Sequence, residues 1–221
     1  MRLTLWLVLL ACPGPIAHAQ TQPAPIDIPN SPIPVQILAQ SPAEAKTDLQ
    51  VICLFRSSPV NTLHGSLVEA NEKLRGLLDR IRNPNLFRGE LAETLLLVPP
   101  KGSLGARKLL VIGLGDSQTF SPERMQLVGE VVYSEASRLG VAHPFFAPTI
   151  LDGGVNKFTT GQVSEQVFSG FLRAAAIDKV LKDANGSASS SVAALTFLAG
   201  AKNVDGTRVG IEKAISAASL K

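Results

Sequence analysis

The chain has 221 residues, 45% of them hydrophobic and 18% charged, with a net charge of +3. Its Lys and Arg residues are scattered along the sequence rather than gathered into a block, which argues against a nucleic acid or an anionic membrane surface held by charge. The apolar fraction suffices for a full core in one domain and leaves no room for a second of ordinary size.

Residues 1–19 have the order of an export signal: Arg2 at the start, a short apolar run from Leu3 to Ala11, and Ala17-His18-Ala19 as an A-x-A cleavage site. A membrane-spanning helix needs about 20 apolar residues, so this run reads as a cleaved leader rather than an anchor. The protein is therefore expected to be exported, periplasmic or extracellular, with Gln20 as its first mature residue. A lipoprotein signal is the rival reading, because Leu9-Leu10-Ala11-Cys12 has a lipobox-like order that would place a lipid on Cys12; Pro13-Gly14-Pro15 before the A-x-A site favours ordinary cleavage. Loss of Cys12 leaves Cys53 as the single cysteine, so no internal disulfide is expected.

Residues 20–47 hold many prolines and no sustained period, and read as an extended tether. From residue 48 strand and helix alternate. Leu49 to Phe55 is a first strand, and Leu67 to Ile81 a helix with Leu67, Ala70, Leu74, Leu77, Leu78 and Ile81 on one stripe. Leu95 to Val98 and Leu109 to Ile112 are apolar runs of strand length, stopped by Pro99-Pro100 and by Gly113, which reads as two strands covered on both faces. Ser121-Pro122-Glu123 opens a helix that Gly140 ends. Phe145 to Ala147 is a short strand, and Thr159 with Gln162 forms a capping box for a helix to about Lys182, with Val163, Val167, Phe171 and Ala174 inward. Ser191 to Leu198 is a fifth strand and Thr207 to Ala218 a closing helix. This order predicts an α/β fold: a three-layer α/β/α domain on a mixed, largely parallel sheet.

Candidate sites are few. Gly113-Leu114-Gly115 at a strand end, with Asp116 next, is the best place for a phosphate-bearing ligand, since backbone N–H groups at such an end can cradle an anion. The dinucleotide fingerprint is incomplete, because Gln118 stands where the third glycine belongs and the helix starts late; glycines that simply end a buried strand are the plainer account. Gly115-Asp116-Ser117 is similar to the start of a serine-hydrolase block, but no Asp-x-x-His follows to supply the base, and His64 and His143 lack such a partner. Cys53 on an apolar strand reads as a small core residue, and no cluster has zinc-ligand spacing. Asp152–Asn156 and Asp183–Ser187 read as solvated turns. Neither a metal nor a cofactor is expected.

The succession Phe87-x-Gly89, Glu93-Thr94-Leu95-Leu96-Leu97, Arg107 to Gly115, then Gly170-Phe171-Leu172 and Ile177-Asp178-Lys179 resembles the N-terminal domain of the leucyl (cytosol) aminopeptidase family. The resemblance covers most of residues 48–218 and implies a macro-like fold. It places the family's two-metal chemistry in a separate C-terminal domain, whose segments Asn-Thr-Asp-Ala-Glu-Gly-Arg-Leu and Asp-Ser-Gly-Gly do not occur in these 221 residues, so no catalytic or metal residue carries over. The family is mostly cytosolic and has aromatic residues where this chain has Ala175, Ala176 and Val180. The expectation is a free-standing, non-catalytic exported module that binds a protein partner or a second copy of itself, with an accessory role to a peptidase as one form of it. Two alternatives stay open: a nucleotide or ADP-ribose-type ligand at Gly113, Gly115 and Asp116, and an aminopeptidase whose catalytic half is another chain.

Overall fold

The structure, a computed structural model, describes residues 23–57, 62–82, 86–186 and 192–219; the leader reading and the Cys12 alternative fall outside them. Seven strands form one sheet: β1 (Ile26–Ile28), β2 (Val35–Leu38), β3 (Thr47–Leu54), β4 (Thr94–Leu97), β5 (Ala106–Gly113), β6 (Phe145–Ala147) and β7 (Leu195–Leu198), in the order β1-β2-β7-β6-β3-β5-β4. The five inner strands run parallel, and β1 and β4 are antiparallel edges. Five helices accompany them: α1 (Gly65–Lys73), α2 (Leu77–Ile81), α3 (Arg124–Arg138), α4 (Thr160–Asn185) and α5 (Val204–Ala218).

Alternate residues of the central strands enter two separate cores. Leu49, Val51, Cys53, Leu110 and Ile112 pack with α3, α4 and α5 on one face, whereas Ile52, Leu54, Leu109 and Val111 pack with α1 and α2 on the other. This is the expected three-layer arrangement, and it explains why β3 and β5 read as continuous apolar runs rather than alternating ones. Cys53 is a buried free thiol, and burial pushes its pKa far above the usual range.

Helix ends shift, with α4 running to Asn185 through part of the turn expected at Asp183–Ser187 and α5 starting at Val204 rather than Thr207, and four larger features depart from the sequence reading. The proline-rich segment is not a tether: β1 and β2 form an antiparallel pair, and β2 runs parallel to β7, with Ile28, Val35 and Ile37 buried. Prolines 25, 29 and 34 flank these strands instead of interrupting them, so no ladder N–H is lost within them. Strand β4 is not covered on both faces but is an edge, with Leu96 partly exposed and Val98 beyond its end 76% exposed. The helix expected over 67–81 is two helices, because Arg75 and Gly76 adopt positive φ and the Gly76 N–H closes back on the Asn71 carbonyl. The last strand is shorter than Ser191–Leu198, starting at Leu195. The capping box at Thr159 and Gln162 is present, with both reciprocal bonds formed at 3.1 and 2.9 Å.

Helices α3 and α4 cross at glycine. A Cβ built on Gly170 would lie 1.9 Å from the Gln126 carbonyl oxygen, and one on Gly129 would lie 2.0 Å from that of Val167. Gly170→Ala must separate two backbones; a loss of about 2 kcal/mol, or roughly 4–8 °C in Tm, is expected by thermal denaturation. Cys53 should resist thiol reagents in the native state and react stoichiometrically in denaturant; labelling at the native rate of a free thiol would contradict its burial.

Candidate functional site

The carboxyl ends of β2, β6 and β7 open onto a cleft of about 410 Å³, the position where open α/β sheets receive ligands. Its floor is apolar, formed by Ala147, Ile150, Val163, Leu198 and Ala199. Phe158 forms one side and is tied to the end of β3 through edge-to-face contacts with Phe120 and from there with Phe55. The polar rim comes from the loop after β2, the start of α1, the loop after β6, the start of α4 and the turn after β7.

Thr149 sets the course of the loop after β6. Its hydroxyl accepts from the Cys53 N–H at 2.9 Å and donates to the Cys53 carbonyl at 2.7 Å, so a side chain continues the β3–β6 pairing after the β6 backbone has left the sheet. The backbone departs through a left-handed conformation at Thr149 (φ 47°), which is unfavourable for a β-branched residue. Such strain is kept only where surrounding structure fixes it, and it concentrates at functional sites.

The loop then makes a tight turn, with the Gly153 N–H on the Thr149 and Ile150 carbonyls and the Val155 N–H on the Ile150 carbonyl, and delivers Asp152 to the start of α1. There the Asp152 carbonyl accepts the His64 N–H at 2.8 Å, and its carboxylate accepts the Ser66 hydroxyl. Gly65 adopts a positive φ of 48° here, which favours glycine, and a Cβ there would lie 2.3 Å from Asp152 Oδ1 and push the carboxylate aside. Along the same wall Glu69 accepts from the Ser41 hydroxyl and pairs with Lys73 at 3.1 Å. Desolvation raises the Glu69 pKa, but the bonds from Ser41 and Lys73 outweigh it and the net shift is downward. A lowered folded-state pKa means that this contact stabilises the fold above the ordinary carboxylate range and loses its contribution as pH falls through the folded value. Lys202 and Asn203 also line the cleft.

The residues expected to bind phosphate do not line this cleft. Gly113 closes β5, its N–H donating to the Glu93 carbonyl; the Leu114 N–H is taken by Leu54 and the Gly115 N–H by Gly89. Asp116 accepts the Gln118 N–H in a local turn. The backbone N–H groups of Gly113 and Gly115 are thus bonded within the protein rather than open to an anion. Gly113 is dictated by packing, since a Cβ there would meet the Glu90 carbonyl oxygen at 2.0 Å. Asp152, Ser66, Thr149 and Lys202 were not legible as a site; the one local signal was the Asp-Gly-Gly turn at 152–154. Among the described residues no group of three or more His, Cys, Asp or Glu side chains is placed to hold a metal ion, and no helix is long and apolar enough to cross a membrane.

The model of the cytosol aminopeptidase family, N-terminal domain, matches residues 51–175. A probable cytosol aminopeptidase of Roseiflexus castenholzii is 27% identical over 179 residues, covering 81% of this chain and 33% of that protein. The chain thus spans about a third of the length of that relative. Among solved structures, a tomato leucine aminopeptidase mutant superposes with a TM-score of 0.61 at 20% identity, over 88% of this chain and 37% of that one. A Trypanosoma brucei macrodomain in complex with ADP-ribose superposes with a TM-score of 0.55 at 14% identity, over 80% of this chain and 68% of that one. These two likenesses are of fold, and they make the three-layer domain macro-like. With more than half of its residues matched by the family model, the chain belongs to the cytosol aminopeptidase family through that family's N-terminal domain.

Proposed function

We propose that this chain is a non-catalytic binding module, exported from the cytosol, whose cleft at the carboxyl ends of β2, β6 and β7 takes a small ligand or the tip of a partner protein. The observation that carries the reading is the cleft itself: an apolar floor with a polar rim converging from five segments, built around a strained residue, in the place where this class of fold receives ligands. The non-catalytic part is our reading of a family match that lies in the N-terminal domain. Export is supported by the leader-like order of residues 1–19. A peptidase remains the natural partner for a domain of this family, as an accessory contact or with the catalytic half on another chain.

A second reading, a nucleotide or ADP-ribose-type ligand, is favoured by one observation: the macrodomain of similar fold is in complex with ADP-ribose. On this chain the cleft is the better place for such a ligand, since the N–H groups of Gly113, Leu114 and Gly115 are already bonded within the protein.

A thermal-shift panel of nucleotides, ADP-ribose, amino acids, organic ions and divalent metals on the chain from Gln20 tests both readings. A true ligand should raise Tm saturably, with about 2.7 kcal/mol of stabilisation at a hundredfold excess over Kd. Ala199→Leu, which fills the cleft floor, should abolish the shift while leaving the unliganded Tm within a few degrees of wild type. A shift that persists in Ala199→Leu would move the site elsewhere, and metal-dependent aminopeptidase activity intrinsic to the pure chain would overturn the non-catalytic reading.

A further inference from the structure

We infer that the cleft selects a cation: a ligand with an ammonium or guanidinium head on an apolar body, the head meeting the Asp152 carboxylate. The inference rests on the reading of the cleft as a binding site and adds the chemistry of its occupant. Three charged side chains line the cleft: Glu69, Asp152 and Lys202. They are not equivalent. Glu69 is already paired with Lys73 and hydrogen-bonded by Ser41. Lys202 is exposed, so water and salt screen its charge. Asp152 is half-buried, and among the described residues no ion pair reaches it; its carboxylate has the Ser66 hydroxyl and the close approach of Gly65.

A partly desolvated carboxylate without a counter-charge keeps most of its capacity to attract a cation, and a cation bound there is desolvated less completely than in a closed core. The same carboxylate works against an anion. Two helix starts on this rim could attract negative charge: at α1 the Asp152 carboxylate already stands beside Gly65 and Ser66, and at α4 the capping box engages the Thr159 and Gln162 N–H groups. A diphosphate entering the cleft would therefore meet the Asp152 and Glu69 carboxylates against a single, screened Lys202. The floor of Ala147, Ile150, Val163, Leu198 and Ala199 supplies the surface for an apolar body, which a highly hydrated anion would not use.

The test keeps the apolar body fixed and changes the charge. Calorimetric titration of the chain from Gln20 with phenethylammonium, with 3-phenylpropionate and with ADP-ribose should give an ammonium affinity at least about tenfold above that of the carboxylate, the scale of one hydrogen bond to a charged group. Asp152→Asn keeps an acceptor for Ser66 and removes the charge; it should weaken the ammonium about tenfold and leave the carboxylate unweakened. Lys202→Gln should leave ammonium binding intact. Equal or tighter binding of 3-phenylpropionate overturns the inference from the wild type alone, whether or not Asp152→Asn folds. Binding of ADP-ribose with the ammonium silent overturns it too, yet leaves the small-ligand reading standing. Silence of all three probes overturns the charge inference, and the wider ligand panel then decides the binding reading on its own.

Discussion

Burial of β3 and β5 on both faces is the constraint on which the rest of the structure depends. Successive residues such as Val51 and Ile52, or Leu110 and Val111, enter opposite cores, so neither strand can be stable until helices cover both sides. Parallel neighbours need crossover connections, and these carry α1 and α2 to one face and α3 and α4 to the other, where α5, following the last strand, joins them. The crossing of α3 and α4 at Gly129 and Gly170 lets that outer layer lie close enough to seal its core. The sheet then closes at its margins with the short antiparallel strands β1 and β4, which limit the length of unpaired edge.

The cleft is a consequence of this arrangement. The inner strands share one direction, so the loops after β2, β6 and β7 emerge together, and the starts of α1 and α4 return to the same end. What turns that shared end into a shaped site is the exchange at Thr149, where a hydroxyl replaces the backbone as the partner of Cys53. The main chain is thereby free to leave the sheet one residue after Pro148 and to carry Asp152 across to α1. The carboxylate is consequently referenced to the central strand through a short, hydrogen-bonded path, and its position should vary little with the rest of the rim.

The parts of the fold governed by local chemistry were legible in the sequence. The apolar runs of β3 and β5, the short β6, the Thr159–Gln162 box and the presence of α3, α4 and α5 follow from periodicity, capping or the lengths of apolar runs, although α3 starts at Arg124 without a Ser121 cap and α5 starts three residues before Thr207. The errors arose where pairing in space decides. Proline content concealed β1 and β2, although Ile26/Ile28 and Val35/Ile37 alternate as half-buried strands do; the partner that makes them strands, β7, is about 160 residues away. Leu95 to Val98 looks as buried as β5 in one dimension, and only the absence of a neighbour beyond it makes β4 an edge. Helix α1 looked continuous with α2 because the stripe of Leu67, Ala70, Leu74 and Leu78 keeps its phase across the break at Arg75–Gly76.

The site shows the same division more sharply. Gly113-Leu114-Gly115 attracted attention because glycine at a strand end is a visible sign of exposed backbone, yet what an anion needs is a free N–H, and whether one is free depends on residues elsewhere. Here Glu93, Leu54 and Gly89 had taken all three. Conversely, Ser66 and Asp152 are 86 residues apart and neither belongs to a motif, but the fold brings them into contact at the cleft rim. Similarity of fold to a macrodomain therefore fixes neither a site nor its chemistry on this chain. That chemistry is set by side chains: where a phosphate site would leave helix N–H groups open to the ligand, this chain has filled the place with a carboxylate of its own and left that carboxylate without a counter-ion among the described residues.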